Sequence, residues 1–234
     1  MRHDGINRGR VVEAGTGRLI GMERWLALEL AGTIRHDGDG GIADDLEDSS
    51  GLTAWVRDRK VLLGPGIAAG EFIADERARL AVVNVRTSVR ALFARMVSPA
   101  PPSRADAHRL PPAGEALAEL NRIAARVPVT VALAWETGAT PSVRMTGSAP
   151  GDSVESLVAA LARDAIEFLT DPDGRRLAAC TAPRCVRYFL KDHGRQEYCK
   201  PSCSNRARAA RHYRRHHADA GTSPQKEPIP ERMP

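Results

Sequence analysis

All four cysteines of the chain are clustered near one end, at Cys180, Cys185, Cys199 and Cys203, and positions 1–179 contain none. The spacing C-x4-C-x13-C-x3-C makes two close pairs joined by a short loop, so four thiolates can meet at one point. A tetrahedral Zn²⁺ takes such a set. Two disulfides are the competing use, but they suit small secreted domains. The N-terminal stretch MRHDGINRGRVVEAG lacks the apolar core of a secretory leader. A cytoplasmic setting that keeps thiols reduced is therefore expected. An iron–sulfur cluster also uses four cysteines, but no electron-transfer context surrounds these. A closed Cys₄ site leaves no open position for water. The expected cofactor is therefore one structural zinc, with His193, His212, His216 and His217 outside the full tetrahedron.

Charge concentrates in the same place. Positions 180–217 hold ten Lys+Arg against two acids, Asp192 and Glu197, a net +8 in a chain whose total is +5. A single basic module is an electrostatic footprint for phosphates. On a helix starting near Ser204, Arg208, Arg211 and Arg215 share one stripe, with Arg206 and Arg214 on neighbouring faces. Arginine can fork onto phosphate oxygens or a guanine edge. Asn205, at the expected helix start, fits either a cap or an adenine contact. The candidate nucleic-acid-binding residues are thus Asn205, Arg206, Arg208, Arg211, Arg214 and Arg215. Tyr188, Phe189 and Tyr198 interleave with the cysteines and are read as the core of a small module rather than as base-stacking rings.

The run from Cys180 through the aromatic residues to Tyr198-Cys199, and then Cys203-Ser204-Asn205-Arg206 before a basic helix, resembles the CGNR zinc finger. Ser204 stands where that family's signature has glycine. In the family the finger ends a chain that begins with an ABATE domain, described as a stress-induced transcription regulator. The front of this chain is similar to it. Trp25-Leu-Ala-Leu-Glu-Leu-Ala-Gly-Thr-Ile34 resembles its opening apolar segment, and Leu46, Leu52 and Trp55 resemble the stretch that follows. The resemblance spans about 22–217 and implies a DNA-binding regulator.

The front segment is long enough to bury its own core. Positions 1–21 are polar and expected to be disordered, as is the tail 218–234. Positions 22–170 read as a mostly helical domain and 171–217 as the finger. The stretch 25–34 is an apolar helix or strand, followed by a flexible loop at 36–41 whose acids lack calcium-loop spacing. Ser49 or Ser50 caps a helix carrying Leu52, Trp55 and Val56. The stretch 67–97 is the longest periodic one, with Leu80, Val83, Val85, Val89, Leu92, Phe93 and Met96 recurring at three and four. Arg77, Arg79, Arg86, Arg90 and Arg95 are expected on its solvated face, near Glu71, Asp75 and Glu76. A proline-rich loop at 98–114 and a helix at 115–126 follow. Positions 128–146 carry a β-hairpin signature, taken to pack among the helices. Asp152 or Ser153 then caps a helix with Val154, Leu157, Val158, Leu161, Ile166 and Leu169, stopped at Asp171-Pro-Asp-Gly174.

The fold class expected is mainly α with one β-hairpin, plus a small Cys₄ zinc module ending in a basic helix. No apolar run approaches the length of a membrane span, and no enzyme motif is present. The chain is read as a regulator, not an enzyme. The zinc module is expected to bind DNA through its arginine helix, which the metal aims, while the front domain senses a small-molecule effector or pairs as a homodimer. The alternatives are a zinc-stabilised protein-interaction adaptor or an RNA-binding protein. The finger, too small to fold on apolar burial alone, is expected to melt without zinc while the front domain persists.

Overall fold

Asp75 sets the start of the longest helix. Its carboxylate accepts from the Ala78 amide at 2.7 Å, satisfying a donor that the first turn leaves open. The helix therefore spans Glu76–Val97 and does not reach back to Ile67. In the computed structural model, which describes residues 10–13, 25–38, 41–63, 67–106, 109–138, 140–147 and 152–220, the chain order is as follows. Strand β1 (Arg10–Glu13) precedes helix α1 (Leu26–Ala31), strands β2 (Ile34–His36) and β3 (Ile42–Asp44), and helices α2 (Ser49–Asp58) and α3 (Lys60–Leu63). The long helix is α4, followed by α5 (Ala113–Ala124), strands β4 (Val129–Ala134) and β5 (Ser142–Gly147), and α6 (Ser153–Thr170). Strands β6 (Leu177–Ala179) and β7 (Tyr188–Leu190) and helix α7 (Pro201–Ala220) complete it. The architecture is mainly helical, as expected. No helix among the described residues is long and apolar enough to cross a membrane.

α4 is the central element, and α1, α2, α5 and α6 pack around it. Its inward stripe is Ala78, Val82, Val85, Val89 and Phe93, all buried. The expected stripe is partly out of phase: Leu80 is 53% exposed and Val83 is only half-buried. α6 supplies the facing layer through Val154, Leu157, Val158, Leu161, Ala165 and Phe168. Its cap is Asp152, which accepts from the Val154 amide. α2 is capped by Asp48, which accepts from Gly51, and not by Ser49 or Ser50. The Ser50 hydroxyl is turned to the same carboxylate, donating to Asp48 Oδ1 at 2.6 Å.

Two expectations for the arginines of α4 are corrected. Arg86 and Arg90 do not lie on a solvated face; they are 4% and 1% exposed. Arg86 clasps Asp44 at 2.5 and 2.7 Å and bonds the Thr33 hydroxyl. Arg90 clasps Asp106 at 2.8 and 3.1 Å. A buried cation persists only when paired and hydrogen-bonded, and both are. Arg79 pairs with Glu76 at the surface, and Arg77 with Asp152.

The hairpin β4–β5 is joined by β1 into an antiparallel sheet of order β1-β5-β4, with Val12 and Leu133 both opposite Val143. Arg10–Glu13 is therefore strand, although it falls in the segment expected to be disordered. Positions 1–9 and 14–21 of that segment, and 221–234 of the expected tail, lie outside the described residues. The hairpin does not pack its open edge among the helices: Val131, Leu133 and Trp135, on and just after β4, are 64%, 71% and 68% exposed.

The junction to the finger is tight. A Cβ on Gly174 would meet the Phe168 carbonyl at 2.6 Å, so only glycine lets the 3₁₀ turn Pro172–Arg176 fold against the end of α6. That turn delivers β6, which pairs with β7 and packs on α4. Leu177 and Tyr188 belong to the main core. Ring contacts run from Trp25 to Phe168, from Phe168 to Phe93 and from Phe93 to Tyr188, with centroids 5.2–5.4 Å apart. The finger is thus rooted in the front domain by packing.

Candidate metal centre and nucleic-acid interface

The first cysteine pair stands at the tip of the β6–β7 hairpin. The Cys180 amide donates to Arg187 O at 2.9 Å, which extends the ladder by one rung. Inside the loop the Cys185 amide donates to Ala182 O, closing a tight turn. Arg184 in that turn has φ +64°, a conformation that a side chain makes unfavourable and glycine does not. Arg184→Gly is accordingly expected to stabilise the loop by about 0.5–1 kcal/mol, read as a slower release of zinc to a chelator. Faster release would show that the arginine side chain holds the turn.

The second pair is built by α7. The helix starts at Pro201, ahead of the expected start at Ser204, so Cys203 lies in its first turn. The Cys199 amide, just before the helix, donates to Cys180 Sγ at 3.4 Å. Cys185 Sγ lies 3.7 Å from Cys199 Sγ, which lies 3.6 Å from Cys203 Sγ. All four sulfurs fall within 4.8 Å of one another. A tetrahedron with Zn–S bonds of about 2.3 Å has edges of about 3.8 Å, so the cluster has the size of a zinc site. Its electrostatics ask for a cation as well. Hydrogen bonds from the Cys180 and Cys199 thiols pull Cys185 far below the ordinary thiol range. Hydrogen bonding with Cys180 first, and then with Cys185, pushes Cys199 far above it. Four thiolates cannot share this space without a dication between them. With three of the four cysteines buried, the site holds one structural Zn²⁺ through Cys180, Cys185, Cys199 and Cys203.

Cys203 and Ala207 are the buried face of α7, and Ala210 is half-buried. From Arg211 to His216 every residue is exposed. The helix leaves the body there and continues for about ten residues, roughly 15 Å. Such a helix is unstable in isolation because its first turn is costly to nucleate. Here zinc ligation by Cys199 and Cys203 fixes that turn. Arg208, Arg211, Arg214 and Arg215 are exposed, as is Asn205, which lies inside the helix and not at its cap. Arg206 differs from the rest. It is half-buried and donates to Pro183 O at 3.2 Å and to Cys203 Sγ at 3.8 Å, so its guanidinium braces the two cysteine loops against each other. A shallow groove of about 490 Å³ flanks the start of α7, lined by His193, Arg195, Lys200 and Ser204 among others.

Behind the finger lies a group of polar residues that sequence reading did not assemble. Tyr188 Oη donates to Asp106 at 2.8 Å, and Asp106 also receives Arg90. Arg90 further donates to Ala31 O and to the Ser103 hydroxyl. Ser103 Oγ donates to Val186 O, the residue after a zinc ligand, at 2.8 Å. Burial first, and then the Asp106 carboxylate, push the Tyr188 phenol well above its usual range, so it stays a donor. One available signal was phase: Arg86 and Arg90 sit four apart between Val82, Val85, Val89 and Phe93, inside the apolar stripe.

A family model described as "Putative stress-induced transcription regulator" (ABATE) matches residues 25–172. A second model, the CGNR zinc finger, matches residues 176–216. No curated protein matches the chain.

Proposed function

The chain belongs to the ABATE family and ends in a CGNR zinc finger, and on that footing we propose that it regulates transcription by binding DNA through α7. The observation that carries the reading is the exposed end of that helix. It projects from the body with Arg208, Arg211 and Arg215 on one stripe and Arg214 beside them, and every residue from Arg211 to His216 is exposed. Like charges three and four apart on a helix repel, and duplex phosphates relieve that repulsion. An α-helix fits the major groove, where arginine reads guanine and Asn205 can read adenine. Arg206 is left out of the phosphate set because it braces the knuckle. Arg195 and Lys200, beside the groove at the start of α7, are placed to take backbone phosphates.

The front domain is the regulatory half in this proposal and has no catalytic role. Whether it answers to a small effector or to pairing, its state reaches α7 through the Arg90–Asp106–Tyr188 group, which ties the finger's hairpin to α4. A regulating ligand must bind the DNA-competent and incompetent states differently.

Replacing Arg208 and Arg211 with alanine is expected to weaken DNA binding on every sequence. The slope of log affinity against log salt should fall by about 0.9 for each phosphate no longer neutralised. Fluorescence anisotropy over a salt series measures both. Affinity and slope unchanged in the double variant would move the finger to the adaptor reading, and a preference for single-stranded RNA would move it to the RNA reading.

A further inference from the structure

One pair of side chains on α7 has chemistry that neither the zinc site nor phosphate binding uses. His212 and His216 are four residues apart, both exposed, with ring centroids 4.2 Å apart and Nε2 atoms 3.0 Å apart. Residues four apart share one face of a helix. This one lies away from the buried face formed by Cys203 and Ala207. We propose that His212 and His216 are a second metal site, separate from the four cysteines, for a divalent late transition metal that binds neutral imidazole.

The two Nε2 atoms lie 3.0 Å apart, and a small side-chain adjustment lets one ion bridge them with metal–nitrogen bonds of about 2.0–2.1 Å. Imidazole suits Ni²⁺, Cu²⁺ and Zn²⁺ alike. The ligand set sharpens the contrast with the cysteine cluster, where four soft thiolates form a closed tetrahedron suited to zinc. Two imidazoles leave the remaining coordination positions to water or to an oxygen ligand. The neighbouring Arg208, Arg211 and Arg215 oppose a second cation; they lie inside a Debye length of about 8 Å, so salt screens that repulsion only in part, and the high dielectric of water around an exposed helix keeps it modest. Both rings bind only when unprotonated, so uptake releases any protons they carry. A bridge between positions four apart also locks one turn of the projecting, exposed end of α7.

The site does not depend on DNA binding, and neither does its test. The full-length, zinc-loaded chain is titrated with NiCl₂ by calorimetry while bound zinc is assayed. The expected result is one added Ni²⁺ per chain with the zinc retained, and a rise in helical far-UV signal. His212→Ala and His216→Ala should each weaken uptake at least tenfold and abolish the helical gain, while His193→Ala changes neither. No Ni²⁺ uptake, or uptake unchanged in the His212→Ala/His216→Ala double variant, would overturn the site and leave the two rings as a hydrogen-bonded pair.

Discussion

Replacing Cys199 with serine is expected to do more than unfold the finger: the main thermal transition of the whole chain should fall by roughly 6–20 °C. Structural zinc in finger peptides contributes on the order of 10–16 kcal/mol, so its loss frees the hairpin loop and the first turn of α7 together. The loss then spreads inward, because β6 and β7 place Leu177 and Tyr188 in the main core. Burying each such side chain stabilises by about 1.5–3 kcal/mol. Calorimetry on the wild type and on Cys199→Ser, with far-UV signal followed in parallel, measures the drop. A main transition at the wild-type temperature, with only helical signal lost, would mean that the strands stay docked without their metal.

Asp106→Ala should destabilise the chain by about 3–5 kcal/mol, the usual loss when one partner of a buried ion pair is removed. The carboxylate is 6% exposed and Arg90 1% exposed, so the orphaned guanidinium has no route to water. The Tyr188 hydroxyl loses its acceptor in the same step. Arg90→Met with Asp106→Leu should recover only part of the loss. A clean hydrophobic swap can be neutral, but here Ala31 O and the Ser103 and Tyr188 hydroxyls would each lose a partner. Denaturant unfolding of the three variants measures this. Full recovery in the double variant would reduce the group to a simple ion pair with no role in holding the finger. Arg122→Ala, which breaks the surface pair with Glu119, should leave the unfolding curve almost unmoved.

What the sequence made readable was local. The zinc ligands follow from cysteine spacing, because four soft ligands so close along the chain have few other uses. α6 follows from its Asp152 or Ser153 start and an apolar period through Leu161, although its last turn buries Phe168 rather than the expected Ile166 and Leu169. The hairpin follows from alternation on either side of Gly138. The unread parts are decided by distant neighbours. Arg86 looked solvated because its partner, Asp44, lies 42 residues away. Arg90 needed Asp106, in a proline-rich stretch with no period to place it. Strand β1 is short and pairs with β5, with all of α1 through α5 lying between them in the chain, so nothing near it announces it. Tyr188 was rightly read as core, but the core it joins belongs to the front domain. In the helix of the finger, periodicity put Arg206 beside the outward arginines. The Pro183 carbonyl that turns it inward sits 23 residues earlier.

The aromatic chain from Trp25 to Tyr188 bears on how such a protein can be cut and recombined. A unit that can be moved between hosts must keep its apolar surface to itself, so that joining it to a stranger leaves neither side with a gap. This finger breaks that condition: its hairpin donates a ring and a leucine to its neighbour and takes back the support that aims α7. A break at the covalent boundary near position 175 would leave a hole beside Phe93 in one piece and a bare apolar strand in the other. The two halves are therefore best engineered as one object, and a swap that respects the packing must exchange Phe93, Asp106 and Tyr188 along with the cysteines.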